Sequence, residues 1–139
     1  MAELYDMREE AERVILVAVS TGDGDDTEES VDELAELVKT AGATAIDRLI
    51  QNRERVHPGT YLGKGKIEEV RERAAELHAT GIVCDDELSP AQLRNLEDAL
   101  QIKVMDRTMV ILDIFASHAV TREGKIQVEL AQLRYRAAR

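Results

Sequence analysis

The run VILVAVS, Val14 to Ser20, is continuous, apolar and rich in β-branched residues. Such a run fits a strand buried on both faces, which obliges helices to cover two sides of a sheet. The rest of the chain supplies them in alternation. Val31, Leu34, Val38 and Ala41 recur at helical spacing, with Asp26 and Glu29 positioned for a capping box and Gly42 for a stop. TAIDRLIQ (44–51) reads as a second strand. Ile67, Val70, Ala74 and Leu77 mark the stripe of a second helix, and Gly81 with IVCDD a short third strand. Ser89, Pro90 and Gln92 form a helix start, followed by inward-facing Leu93, Leu96 and Leu100, and IKVMD (102–106) is a fourth strand. This βαβαβαβ order predicts an α/β fold, a four-stranded, mostly parallel sheet flanked by helices. Right-handed crossovers place all strand-to-helix loops on one edge, where open sheets bind ligands.

From residue 107 the alternation stops. TMVILDIFASHAV (108–120) is apolar on nearly all sides and reads as a buried helix, and Thr121 can cap another. In that next helix Ile126, Leu130, Leu133 and Ala137 have the spacing of a coiled-coil seam, while Lys125, Gln132, Arg136 and Arg139 form a basic face. The seam has no partner in the sequence, so the chain reads as a piece cut inside a helical hairpin, able to dimerise through this helix. The expected division is an α/β subdomain over 1–106 and the start of a helical subdomain over 107–139.

Charge is unevenly spread. The chain carries a net −10, yet residues 1–102 hold −13 and residues 103–139 hold +3. Within 48–66, Arg48, Arg53, Arg55, Lys64 and Lys66 face Glu54 alone. The acidic bulk argues against general nucleic-acid binding, while the two basic islands suit an anionic partner on defined faces. Tyr5, Tyr61, Tyr135 and Phe115 are too few aromatics for a base-stacking platform, so contacts to nucleic acid would fall on phosphates. A single cysteine, Cys84, excludes an internal disulfide and a cysteine-built zinc site. No apolar run approaches the roughly 20 residues of a membrane span. The polar, acidic N-terminus is unlike a signal peptide, and the chain reads as cytoplasmic.

HPGTYLGKGKIEEV (57–70) has the look of a phosphate loop but fails its spacing. Three residues separate Gly59 from the first Gly-Lys and five from the second, and Gly65 and Ile67 stand where Ser or Thr would ligate magnesium. What remains is a glycine-flanked helix start with two lysines, a candidate anion site formed by Gly63, Lys64, Gly65 and Lys66 with Arg53 and Arg55 nearby. The alternative is a tight turn with solvated lysines. Asp85 and Asp86 are weak candidates for magnesium, against a solvated turn leading into the Ser89 cap. His57, His78 and His118 share no metal-ligand spacing, and no nucleophile–base pair stands out. A phosphoacceptor domain using Asp85 or Asp86 would need a fifth strand where 107–139 reads as helix.

Three phrases, YLGKGKIEEV (61–70), DDELSPAQLRNLE (85–97) and VMDRTMVILDIFASHAVTREGKIQVELAQLRY (104–135), resemble the N-terminal region of HflX-type GTPases. The likeness covers the chain from about Glu12 onward. Gly63, Lys64, Gly65 and Lys66 match that family's Gly-x-Gly-Lys segment, and Asp106, Arg107 and Thr108 its D-R-T junction between sheet and helices. Thr121, Arg122, Glu123, Gly124 and Lys125 match the opening of the hairpin's first long helix.

The resemblance implies a ribosome-associated factor whose N-terminal module binds rRNA of the large ribosomal subunit and which splits stalled ribosomes. It implies a GTPase domain, with GTP and Mg, elsewhere in the protein, as a further partner of this module. The GTPase motifs are not in this sequence, so these residues are expected to be non-catalytic and to hold no cofactor of their own. The resemblance also admits ATP on the Gly63–Lys66 helix start. The expected rRNA contacts are Arg53, Arg55, Lys64 and Lys66 on one surface, and Arg122, Lys125 and Arg136 along the helical arm.

Overall fold

The computed structural model describes residues 12–22, 26–118 and 122–138. The order is β1 (Arg13–Ser20), α1 (Thr27–Thr40), β2 (Thr44–Asn52), α2 (Lys64–Leu77), β3 (Gly81–Cys84), α3 (Pro90–Leu100), β4 (Lys103–Asp106), α4 (Arg107–His118) and α5 (Arg122–Ala138). The strands form one sheet in the order β2-β1-β3-β4, with every neighbouring pair parallel. The four-stranded α/β architecture expected from the sequence is present.

Alternation along β1 divides the core in two. Ile15, Val17 and Val19 face α2 and α3, joining Ile67, Val70, Ala74, Leu93, Leu96 and Leu100. Val14, Leu16 and Ala18 face α1 and α4, joining Val31, Leu34, Val38, Met109 and Val110. With six of its eight residues buried, β1 is the two-faced strand its composition predicts.

Several helix ends follow local chemistry. Ser89 Oγ accepts from the Gln92 amide while Gln92 Oε1 accepts from the Ser89 amide, completing the predicted capping box. At the end of α1 the Gly42 amide donates to the Lys39 carbonyl and the Ala43 amide to the Val38 carbonyl. Gly42 has φ +96, the left-handed stop anticipated for it. The Asp26–Glu29 box does not form. Asp26 stands at the N-cap of α1, but its φ −115, ψ 50 lies outside the extended region a capping side chain needs, and it makes no cap bond.

Helix α4 departs from the expectation of full burial. Only Met109, Val110 and Asp113 are buried, and Phe115 is 60% exposed. Uniform apolarity gave no face to choose, and α4 lies between the sheet and α5, half-buried along most of its length. On α5, Ile126, Leu130 and Leu133 are exposed. The opposite side of α5 packs along α4 and turns part of the expected basic face inward. There Arg136 pairs with Glu97 at 3.5 Å and lies against the Met109 sulfur. Thr121 and Arg139 lie outside the described residues, as does the side chain of Arg122.

Asp106 ties the two parts of the chain together. Fully buried at the end of β4, its carboxylate accepts from the Met109 amide (3.0 Å) in the first turn of α4 and from the Leu88 amide (2.9 Å) before α3. It also accepts from the Tyr135 hydroxyl on α5. Sheet, α3 loop, α4 and α5 thus meet on one side chain.

Candidate functional site

All four strands end on one edge, and the chain reverses direction across the sheet between β1 and β3. The first crossover runs outward from β1 to β2; the next returns past β1 to β3. Loops diverge at such a switch point and leave a crevice. Here the crevice has a volume of about 330 Å³ and is lined by Val19, Thr21, Asp26, Thr27, Ser30, Val56, Asp85 and Asp86.

The two aspartates after β3 are both engaged. Asp85, nearly buried, accepts from Arg107 Nη1 at 2.7 Å, and Arg107 also reaches the Ser30 carbonyl and Glu33 Oε1 on α1. Asp86 accepts from the Tyr61 hydroxyl at 2.7 Å. Among the described residues no group of three or more His, Cys, Asp or Glu side chains is arranged to hold a metal ion. Cys84, behind them, is fully buried. Burial first, and then the carboxylates of Asp106, Asp86 and Asp85, push its thiol well above the usual range and leave it inert.

The loop from Arg53 to Gly63 forms the outer wall of this edge. Its fold comes from short-range chemistry: His57 and Tyr61 pair their backbones, enclosing Pro58-Gly59-Thr60. His57 Nδ1 accepts from the Gly59 and Thr60 amides at 3.0 and 3.2 Å, so its ring serves the turn. Helix α3 pins the loop from below, Gln92 Nε2 donating to the His57 carbonyl and Asn95 Nδ2 to the Gly59 carbonyl. Tyr61 closes the turn at φ +65, a left-handed conformation unusual for an aromatic residue. Burial, with Cys84 and Asp86 adding to it, pushes its phenol far above the ordinary range, so the hydroxyl remains a donor.

Of the predicted anion residues, the structure brings Arg53 against Gly63 at the start of α2. Gly63 caps α2 with extended backbone, and its amide is already taken by Gln51 Oε1 at 2.8 Å. A methyl group at Gly63 would collide with the Arg53 guanidinium and the Gln51 amide, so only glycine lets them lie against the helix start. Arg53 Nε is held by the Arg55 carbonyl at 3.1 Å. Lys66 pairs with Glu69 at 2.9 Å, while Lys64 is exposed with no ion-pair partner among the described residues. Gly65 borders open space.

Two arm residues stand apart from this cluster. Lys125 is exposed on α5, and Arg136 is drawn toward Glu97. Gln51, Tyr61 and Arg107 gained their roles only from the fold. An aromatic residue inside a glycine-rich turn is the signal that would have singled out Tyr61.

A family model described as "GTP-binding GTPase N-terminal" matches residues 28–116. The chain is 78% identical over its full length to the GTPase HflX of Lacrimispora saccharolytica, covering 33% of that protein. It is 41% identical over 98% of its length to the GTPase HflX of Escherichia coli, covering 32%. It therefore spans about a third of the length of these relatives. Among solved structures, the complex of SsGBP with GDP superimposes with a TM-score of 0.70 at 22% identity, over 91% of this chain and 36% of that one. A GTP-binding protein from Sulfolobus solfataricus in complex with GDP gives 0.62 at 20% identity, over 88% and 36%. At those identities the two structures share the fold alone. On the family model and the sequence relatives, the chain belongs to the GTP-binding GTPase N-terminal family, of the HflX type.

Proposed function

We propose that this chain is the ribosome-binding module of an HflX-like GTP-binding protein, using its basic edge to hold phosphates of large-subunit rRNA. The observation that carries this reading is where the lysines sit. The positive end of a helix favours acidic residues, and α1 follows that rule with Glu28 and Glu29 in its first turn. Helix α2 has none there; it places Lys64 and Lys66 in its first turn and has Arg53 against Gly63 at its N-cap. Like charges crowd a positive dipole end, an arrangement that folding alone does not favour and that a bound polyanion relieves. The acidic remainder of the chain limits binding to other RNA.

In this reading the residues described here are non-catalytic and the protein works in the cytoplasm. GTP and magnesium are handled in a separate part of the longer protein, which gates the engagement that splits stalled ribosomes. The division at Asp106/Arg107 separates the rRNA-facing sheet from the arm, whose Arg122 and Lys125 add contacts. Co-sedimentation tests the reading: the chain should pellet with isolated large subunits and stay in the supernatant with small ones. Failure to pellet with large subunits at low salt would end it.

ATP is the second ligand this helix start would suit, through its Lys64, Gly65 and Lys66 amides. It is the weaker reading, because the aspartates that would hold magnesium are tied to Arg107 and Tyr61. Titration calorimetry with millimolar Mg-ATP showing no heat would remove it.

A further inference from the structure

Tyr61 combines three properties that a simple turn does not require. Its backbone is left-handed, a conformation disfavoured for a non-glycine residue. Its ring is 1% exposed, driven beneath the loop into the core of Ile15, Val17 and Leu62. Its hydroxyl reaches across the crevice edge to Asp86, which is itself exposed and could be satisfied by water. Asp86 does not need the bond, whereas the buried Tyr61 hydroxyl is satisfied by it. The same bond has a geometric effect: it fixes the segment that runs two residues later into Gly63 and Lys64.

We propose that the Tyr61–Asp86 hydrogen bond is a latch that sets the position of the Arg53–Lys66 basic segment, making Tyr61 a positioning residue for binding RNA phosphates. Its ligand class rests on the ribosome-binding reading above; the latch itself does not. Phosphate contacts are made by Lys64, Arg53 and the α2 amides, which carry the charge and the donors. Tyr61 carries neither to the ligand. It holds the α2 entry in register with the β3 end, so the cations and amides meet the RNA backbone without first being ordered. Asp86 is the anchor, seated just past the end of β3 beside Asp85, which Arg107 holds from the other side.

The test is Tyr61→Phe, which keeps the ring and removes only the hydroxyl. Amide hydrogen exchange is expected to quicken over residues 57–66 while β1 and β3 amides keep their protection. Affinity for large subunits is expected to fall about tenfold, as for a lost hydrogen bond to a charged acceptor. The salt dependence of binding should keep its slope, because no phosphate-contacting charge is removed. Asp86→Asn, which retains an acceptor oxygen but not its charge, should fall between the parent and Tyr61→Phe in exchange and binding, and Asp86→Ala should behave like Tyr61→Phe. Unchanged loop exchange in Tyr61→Phe overturns the latch, with or without a ribosome. Quickened exchange at unaltered affinity overturns the positioning role. If the parent chain itself does not bind large subunits, the ligand assignment falls, and the exchange result alone decides the latch.

Discussion

Replacing Asp106 by alanine is expected to lower folding stability by about 4 kcal/mol, because it strands two buried amides and a half-buried hydroxyl at once. The Leu88 and Met109 amides and the Tyr135 hydroxyl all converge on this fully buried carboxylate. Each unmet donor costs roughly 1–3 kcal/mol, and the sum is a large part of the 5–15 kcal/mol that holds a typical domain together. Asp106→Asn keeps one acceptor oxygen and the same shape, so it should lose about half as much. Urea midpoints would show the ranking, with the exposed Asp98→Ala as a control expected to stay within about 0.5 kcal/mol. Loss of hydrogen-exchange protection in α5 should accompany both Asp106 variants. A near-neutral Asp106→Ala would mean that the arm is not held through this residue.

Lys64→Glu with Lys66→Glu is expected to reduce binding to large subunits by about 100-fold, through two lost phosphate contacts and two new repulsions. The variant should nevertheless fold. Glutamates in a helix's first turn are favoured by about 0.3–1 kcal/mol each, and this gain opposes the loss of the Lys66–Glu69 pair. Binding and stability therefore move independently, which distinguishes a ligand site from a structural one. The single change Lys64→Glu sharpens the point, since it breaks no ion pair among the described residues. It should raise the melting temperature slightly while weakening binding about tenfold. A parallel fall in both would assign the lysines to folding.

How much of this was legible in the sequence depends on whether a feature is local. The β1 run, the Ser89–Gln92 box and the Gly42 stop are set by neighbours within a few residues, and each appears where the residues place it. Asp26 shows the limit of that reasoning: the residue type suited a cap, but its backbone conformation did not. Helix α4 failed for a different reason. A segment apolar on all sides carries no directional information, so the sheet beneath it chose Met109 and Val110 and left Phe115 outside. The inward turn of α5 at Tyr135 and Arg136 depends on Asp106 and Glu97, distant in sequence and unforeseeable from helical spacing.

The candidate site divided in the same way. Lysines at a helix start were visible from spacing alone. That Arg53 lies against Gly63, that Gln51 occupies its amide, and that Tyr61 reaches Asp86 required the crossover between β2 and β3. Asp85 and Asp86 looked alike as adjacent carboxylates, yet the fold gave one to Arg107 and the other to Tyr61.

The central claim is that a cationic edge holds rRNA phosphates, and the salt dependence of large-subunit binding tests it most directly. Between about 50 and 200 mM monovalent salt, the affinity of the unaltered chain should fall by about tenfold or more, as expected when two or more phosphates are neutralised. Binding that is equally tight across that range, or equally tight to small subunits, would contradict the account.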